Sequence, residues 1–262
     1  MVIDIHTHID DEPTLLSYLK KAKSRVDMAF VLHWHKDDLN KLADFVATKP
    51  NLKLIASVGI GEPSDISVQL SIIERMLVQK SVIGIKLYPG YQHFYVFDSR
   101  VDPIANLCIK YNKPLVIHGG DVNDDADEAV LKYSHPIYVD DLAMKFPELK
   151  IVIAHFGFPY LLECANVVYK NKNVYTDISG TIVDELPKKQ FMALFNEYKK
   201  DLRRALNYFP EIRGKIMFGT DYGGADTPAN ELDLYLKLIV QLFSAKEQKN
   251  AFSGLATKLF LE

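Results

Sequence analysis

The chain has 262 residues, of which 48% are hydrophobic and 25% are charged, values typical of a globular protein. Its 31 basic and 34 acidic residues leave a net charge of −3, which argues against nucleic acid or an anionic membrane as a partner. The length fits one barrel domain, which runs to ~250 residues, so we expect a single domain over residues 1–262.

The N-terminus leads directly into a strand-like segment, residues 2–5. A secretory signal would place a basic segment and then an apolar segment there, and the sequence has neither. No apolar stretch reaches the ~18 residues that a membrane-spanning helix requires. The two cysteines, Cys108 and Cys164, lie too far apart to indicate a disulfide framework or a thiolate metal site. These features predict a cytoplasmic protein with buried, unreactive thiols.

Short apolar segments rich in Val and Ile alternate with longer segments of helical periodicity along the chain. Such segments are typical of strands buried on both faces of a parallel sheet. Eight repeats of strand and helix predict a closed (β/α)₈ TIM barrel rather than an open sheet. The predicted strands are residues 2–5, 26–32, 52–58, 82–87, 114–117, 151–154, 174–176 and 216–218.

The connection between the seventh and eighth strands, residues 179–215, is longer than a minimal barrel needs. Because it contains an amphipathic stretch at residues 191–209, we predict an extended helical segment between strands 7 and 8. Residues 231–243 have helical periodicity as well. Ser244 and Glu247 then have the spacing of a capping box that begins another helix. We expect this tail to complete the outer layer of the barrel.

Ionisable side chains follow several predicted strands at their carboxyl ends, where TIM barrels carry their catalytic residues. His6 and His8 end the first strand, and because side chains two residues apart point to one face, both can bind one ion. His118 follows the fifth strand, His155 the sixth and Asp221 the eighth. Each residue alone has a structural explanation, such as a solvated histidine or a helix-capping aspartate. One shared metal site of imidazoles and a carboxylate, suited to Zn²⁺, Mn²⁺, Fe²⁺ or Co²⁺, explains them more economically.

Longer motifs surround these positions: Asp4-Ile-His6-Thr-His8, Gly84-Ile-Lys86-Leu-Tyr88-Pro89, Lys113-Pro-Leu-Val-Ile-His118, Ala154-His155-Phe-Gly157, Val174-Tyr-Thr-Asp177 and Phe218-Gly-Thr-Asp221-Tyr222. They extend over nearly the whole chain, and they are specific when taken together. In this combination the sequence resembles the metal-dependent hydrolases of the amidohydrolase superfamily, in particular its amidohydrolase 2 branch. One departure is Gly223, where family members often have a proline, which suggests a differently shaped pocket wall.

The resemblance implies a metal site whose ligands come from strands one, five and eight. The implied ligands are His6, His8, His118 and Asp221, with His155 close to the bound water or the substrate. The implied cofactor is a divalent metal, most simply zinc, with manganese, iron or cobalt as alternatives. We favour one ion over two.

Lys86 has two interpretations. In the two-metal branch of the superfamily a carboxylated lysine at the end of strand four bridges the ions, and the segment around Lys86 resembles that of dihydroorotases. With a single ion, we expect Lys86 instead to neutralise a substrate carboxylate or to pair with a neighbouring acid. Tyr88 and Tyr222 are candidate substrate contacts.

A second His-x-His pair, His33 and His35, follows the second strand. Because the resemblance places the metal ligands on strand one, we predict that these two histidines line the pocket or lie at the surface. Trp34 between them is the sole tryptophan and a candidate wall of the pocket.

The expected activity is metal-dependent hydrolysis of a C–O or C–N bond in a small polar molecule such as a lactone, ester or amide. In this mechanism Asp221 accepts a proton from the activated water, and His155 helps to polarise the scissile carbonyl. The alternative is a metal-dependent non-oxidative decarboxylase of a small aromatic or unsaturated carboxylic acid, which the same ligands allow. A barrel retained as a binding protein is disfavoured because all expected ligands are present. The sequence leaves the substrate and homo-oligomerisation open.

Overall fold

The structure is a computed structural model, and it describes residues 1–57, 59–60, 66–122, 128–181, 187–223 and 231–262. Eight parallel strands follow one another in chain order around a nearly closed barrel, which confirms the predicted TIM-barrel fold. The strands are β1 (Ile3–Thr7), β2 (Met28–Leu32), β3 (Leu52–Ser57), β4 (Val82–Leu87), β5 (Leu115–Ile117), β6 (Ile151–Ile153), β7 (Val174–Asp177) and β8 (Ile216–Met217).

The observed strands differ from the predicted ones only at their ends. β1 continues through Thr7, because Thr7 still pairs with Val31 of β2. β7 includes Asp177, which pairs with Met217 of β8. In both strands the pairing extends beyond the apolar residues on which the prediction depended. Val58, the predicted end of the third strand, lies outside the described residues.

Helices cover the outside of the barrel, and aspartate side chains cap two of them. Asp11 accepts a hydrogen bond from the Thr14 backbone N–H at 2.8 Å, and Asp38 caps the next helix in the same way. The helices are α1 (Glu12–Ala22), α2 (Leu39–Ala47), α3 (Ile66–Leu77), α4 (Pro89–Gln92), α5 (Asp102–Lys110), α6 (Leu131–Ser134), α7 (Val139–Lys145), α8 (Leu161–Lys170), α9 (Lys188–Tyr208), α10 (Glu231–Leu242) and α11 (Ala245–Lys249).

The predicted helical segment between strands 7 and 8 is α9, which spans 21 residues. Residues 182–186 of this connection lie outside the described residues. The capping box that begins α11 is also present, with the Ser244 N–H donating to Glu247 Oε2 at 2.7 Å. Within the described ranges, no helix is long and apolar enough to cross a lipid bilayer.

Backbone hydrogen bonds between β1 and the segment from β8 onward bring the two ends of the sheet together. The Ile5 N–H donates to the Phe218 carbonyl at 3.1 Å. Further along, the Asp221 N–H donates to the His6 carbonyl at 2.8 Å, and the His8 N–H donates to the Tyr222 carbonyl at 2.6 Å. This seam therefore runs directly through four of the predicted site residues, His6, His8, Asp221 and Tyr222.

The core has two parts, one outside and one inside the barrel. The outer part lies between strands and helices and includes both cysteines, which are buried and unpaired as predicted. The inner part combines inward-facing strand residues with the end of the chain, from Leu255 to Phe260. Lys150, which precedes β6, donates to the Leu259 carbonyl at 3.3 Å, so this tail fills the amino-terminal end of the barrel. The tail therefore belongs only partly to the outer layer expected for it.

Candidate metal centre

Polar residues replace apolar ones inside the barrel at the carboxyl ends of its strands. Along β5, for example, Ile117 belongs to the outer core, and the next residue, His118, is on the inner side because side chains alternate. His6, His118 and His155 are all buried. The amino-terminal end of the interior is filled by apolar side chains, so chemistry is confined to the carboxyl end.

Three predicted ligands converge at this end. Ring nitrogens of His6 and His8 and a carboxylate oxygen of Asp221 all lie within 4.8 Å of one another. Asp221 Oδ1 is 3.3 Å from His6 Nε2 and 3.1 Å from His8 Nε2. The structure thus brings together His6 of β1, His8 directly after β1, and one ligand from the segment after β8.

The protonation of His6 follows from its second neighbour, Asp177. His6 Nδ1 is 3.2 Å from Asp177 Oδ2, and an ionised carboxylate can only accept a hydrogen bond. Nδ1 therefore carries the hydrogen, and Nε2 presents a lone pair to Asp221 Oδ1. Two acceptor atoms 3.3 Å apart repel each other unless a cation lies near both. The donor set therefore fits a divalent ion such as zinc.

The charge states of these groups suit metal binding. Burial, reinforced by the positive charge of Lys86, lowers the pKa of His6 to about 3, so its imidazole is neutral. Burial alone would raise the pKa of Asp221, but its interactions with His6, His8 and His155 hold that pKa below its usual range. Asp177 behaves in the same way, because burial is outweighed by His6 and its hydrogen bond. Neutral imidazoles and ionised carboxylates are the forms that bind metal ions.

Ser179 joins His6, His155 and Asp177 in one hydrogen-bond network. Its hydroxyl donates to Asp177 Oδ1 at 2.5 Å and lies 3.0 Å from His6 Nδ1 and 3.1 Å from His155 Nδ1. Nitrogens of these two histidines and an Asp177 oxygen also lie within 4.8 Å of one another. The Ser179 hydroxyl occupies the space between them, so a second ion does not fit there.

His155 presents its other ring nitrogen to the interior. Its Nδ1 also lies 3.2 Å from the Ser179 carbonyl oxygen, which only accepts, so Nδ1 carries the hydrogen and Nε2 has a free lone pair. Burial lowers the pKa of His155, which favours this neutral form. The ring centroid is 4.6 Å from that of His6 and 4.9 Å from that of His118.

His118 reaches the same end of the barrel without joining the converging ligand atoms. Its Nε2 lies 2.7 Å from the Asp121 carbonyl oxygen, so Nε2 donates and Nδ1 keeps a lone pair. Burial, together with the nearby His155 and Lys86, holds the pKa of His118 well below its usual range. Among the described residues, His118 is in neither group of ligand atoms within 4.8 Å of one another.

The three predicted substrate contacts differ in position. Lys86 is fully buried near the end of β4, with Nζ 5.1 Å from the centre of the Tyr88 ring, and burial lowers its pKa to about 8. The Tyr88 hydroxyl donates to the His33 carbonyl at 3.0 Å. Tyr222 packs in the outer core, where its hydroxyl donates to Ser17 Oγ at 2.7 Å, so its side chain is not gathered at the centre.

The second His-x-His pair has a different environment from the first. His33 is buried, and its ring nitrogens lie 3.0 Å from the Ser57 carbonyl and 3.1 Å from the Asp37 carbonyl, which indicates a structural role. The rings of four neighbouring residues form a cluster, here called the aromatic wall: Trp34, His35, Tyr88 and Tyr91. The Tyr91 centroid is 5.1 Å from that of His118, so the wall adjoins the centre.

Three residues at the end of β7 were not predicted to belong to the site. Asp177 ends one of the family motifs, and its position at a strand end was the available signal. Ser179 follows it, and Gly180 has a left-handed backbone with φ of 57°. A Cβ at Gly180 would fall within contact distance of Asp221 Oδ2 and 2.9 Å from His155 Nδ1. These residues shape the centre from one side.

Comparisons with known proteins agree with this architecture. A family model described as Amidohydrolase matches residues 3–261. An uncharacterised TIM-barrel protein from Bordetella bronchiseptica has a TM-score of 0.70 and 17% identity, covering 98% of this chain and 97% of that one. A probable 2-pyrone-4,6-dicarboxylic acid hydrolase from Acinetobacter baumannii has a TM-score of 0.67 and 15% identity, covering 100% and 99%. The decarboxylase of 5-carboxyvanillate from Sphingomonas paucimobilis has a TM-score of 0.66 and 15% identity, covering 99% and 98%.

One curated protein shows similarity at the level of sequence. Protein fluG of Emericella nidulans is 29% identical over 110 residues, which are 42% of this chain. The match spans 11% of the length of that protein. At the identities found for the solved structures, the similarity establishes the fold and leaves the reaction to be argued from the site.

Proposed function

Since the chain belongs to the amidohydrolase family, we propose that it is a metal-dependent hydrolase acting on a C–O or C–N bond of a small polar molecule. The observation that carries this proposal is the convergence of His6 Nε2, His8 Nε2 and Asp221 Oδ1 on one point. A lactone, ester or amide is the expected type of substrate. We propose a single divalent ion, most simply zinc.

A bound divalent ion would lower the pKa of a water molecule toward ~7, which supplies hydroxide at neutral pH. Asp221 is ionised, and its carboxylate lies beside His6 and His8, so it can accept a proton there and deliver it to the leaving group. The Asp177 hydrogen bond to His6 Nδ1 keeps the other His6 nitrogen unprotonated. Such partners orient the ligand and fix its tautomer.

His155 is better suited to accepting a hydrogen bond than to donating one. Its Nδ1 hydrogen is directed to Ser179, and its Nε2 lone pair can orient water or a substrate hydroxyl. Polarising a carbonyl would require a donor at Nε2, which the neutral ring lacks. We therefore assign His155 to positioning the nucleophile. His118 completes the proposed ligand set through Nδ1, the nitrogen that Asp121 leaves free.

Decarboxylation of a small aromatic or unsaturated acid is the second candidate reaction. The observation that favours it is the buried Lys86 beside the aromatic wall, which suits a planar acid. The two reactions differ in their products. A panel of lactones, amides and carboxylic acids, assayed for hydrolysis and for released carbon dioxide, separates them.

Metal analysis of the purified protein, followed by this panel, tests the proposed function. We expect about one equivalent of a transition metal. The variant Asp221→Asn should lose about 10²- to 10⁴-fold in kcat, the range for removal of a positioned acid–base group. Asp201→Asn, at an exposed position of α9, is the matched control and should retain activity. Wild-type kcat in metal-loaded Asp221→Asn would contradict the role of Asp221, and absence of metal would contradict the proposal itself.

A further inference from the structure

Two buried polar side chains lie opposite each other on β3 and β4. Ser57 and Lys86 are register partners in the parallel pairing of these strands, which run about 4.8 Å apart. Their strand neighbours Ala56, Ile85 and Leu87 belong to the outer core, so the side chains of Ser57 and Lys86 are directed to the interior. The exposed fraction is 1% for Ser57 and 0% for Lys86.

The described residues leave both polar atoms unsatisfied. Within the described part of the chain, Ser57 Oγ and Lys86 Nζ have no hydrogen-bond partner. A buried ammonium group without a partner is unfavourable, and such groups are normally paired with an anion. The two atoms together offer up to four hydrogen-bond donors, three from the lysine and one from the serine.

This pair lies at the same end of the barrel as the candidate metal centre. The positive charge of Lys86 contributes to lowering the pKa values of His6, His118 and His155, so the ammonium group lies close to all three rings. Asp177 and Asp221 also interact with this charge electrostatically, yet among the described residues neither forms an ion pair with Lys86. Asp177 contacts His6 instead, and Asp221 belongs to the proposed ligand set, which leaves the lysine available to a ligand.

The aromatic wall is continuous with the Lys86 ammonium group. Lys86 Nζ is 5.1 Å from the centre of the Tyr88 ring, and Tyr88 contacts Trp34 edge-on at 4.7 Å. Trp34 in turn contacts Tyr91 edge-on at 5.0 Å. Flat rings beside a fixed charge are suited to a ligand that is planar next to its charged group.

We infer that Lys86 and Ser57 form an anion subsite that binds the carboxylate of a planar, conjugated acid, whose remaining atoms pack against the aromatic wall. The two carboxylate oxygens offer about four lone-pair positions, which matches the donors of the pair. The inference rests on the proposed function only in taking the carboxyl end of the barrel as the substrate site. The inferred substrate class is the same for hydrolysis and for decarboxylation.

Binding of simple acids to the purified, metal-containing protein tests this subsite. Benzoate and sorbate are the probes, and benzamide and sorbamide are their uncharged controls. Because Trp34 is the sole tryptophan, its fluorescence reports binding at the wall directly, and isothermal titration calorimetry gives the same affinity independently. We expect at least one acid to bind saturably and about 10-fold or more tighter than its amide, since hydrogen bonds to charged groups exceed neutral ones.

Variants assign the effect to the two residues. Lys86→Met removes the charge with similar volume and should weaken acid binding about 10-fold or more while leaving the amide unchanged. Ser57→Ala should weaken acid binding about 2- to 10-fold, and it provides the test if Lys86→Met does not fold. Lys20→Met, at an exposed position of α1, is the matched control. Thermal unfolding verifies that each variant is folded.

Three results would overturn the inference. The first is equal affinity for acids and amides, or no saturable binding of either acid. The second is unchanged acid binding in folded Lys86→Met, because a carboxylate held by the metal alone would behave in this way. The third is a carbamate signal in the carbon-13 NMR spectrum of protein labelled with bicarbonate, if Lys86→Met abolishes that signal. A carboxylated Lys86 is an anion and would repel a substrate carboxylate. Metal content is measured separately, so failure of the proposed function remains distinguishable.

Discussion

At the scale of single residues, Asp177 determines which nitrogen of His6 can bind a cation. In Asp177→Asn the amide can donate to Nδ1, which would move the ring hydrogen to Nε2, the nitrogen that faces Asp221. We expect metal affinity to fall about 10- to 100-fold, as is typical when such a partner is removed. Competition with a chelator measures this affinity, and the visible spectrum of the cobalt-substituted protein reports ligand geometry.

A purely structural role for Asp177 would give a different result. The variant would then unfold at a lower temperature but keep its metal affinity and its cobalt spectrum. Asp140→Asn on α7 removes a carboxylate that is bonded to Lys170 and Asn171 far from the centre, so it serves as the control.

Gly180 makes a second prediction at this scale. Its left-handed backbone costs about 1–2 kcal/mol for a residue with a Cβ, and the added atom would displace the Asp221 carboxylate. Gly180→Ala should therefore lower both the free energy of unfolding and the metal affinity. Gly214→Ala is the matched control, because nothing lies within 4 Å of its Cβ position. If both variants behaved alike, the close approach at Gly180 would be irrelevant to the centre.

At the scale of elements, the end of the chain closes the amino-terminal end of the barrel. Phe260 is 3% exposed, and its ring lies 5.2 Å from that of Phe30 on β2. Phe260→Ala should lower the free energy of unfolding by about 3–5 kcal/mol, the usual range for a buried phenylalanine. Leu261→Ala, at a side chain that is 37% exposed, should change it by about 0.5 kcal/mol or less. Chemical denaturation of both variants measures the difference, and equal losses would contradict the packing described.

The strands could be predicted because each is a short apolar segment, rich in branched side chains, that is buried on both faces of the sheet. The ends of the strands could not be predicted, because strand pairing continues into polar residues such as Thr7 and Asp177. His6 and His8 could be grouped with Asp221 because the strand ends of a barrel converge. The Ser179 contacts depend on distances across the barrel. The absence of a partner for Lys86 among the described residues depends on which groups the neighbouring carboxylates contact. Sequence alone specifies neither.

At the scale of the whole molecule, a ligand that binds only the folded chain stabilises it. At a free metal concentration 100 times the Kd this contribution is about 2.7 kcal/mol, which corresponds to a Tm shift of about 5–10 °C for a chain of this size. Scanning calorimetry should show a Tm that is lower by this amount after chelation, and the Tm should recover when zinc is restored. An unchanged Tm on removal of bound metal would contradict a centre that forms only in the native state.

The hydrogen-bonded seam between β1 and the segment after β8 gives such an ion a structural role in the molecule. His6 and His8 lie on one side of this seam and Asp221 on the other. A shared cation would therefore crosslink the two edges of the sheet where the barrel closes. During synthesis, a ribosome-bound chain that lacks the eighth strand can offer the cation only part of its coordination sphere. Tight metal binding would therefore require a closed barrel, and metal content would report on completed folding.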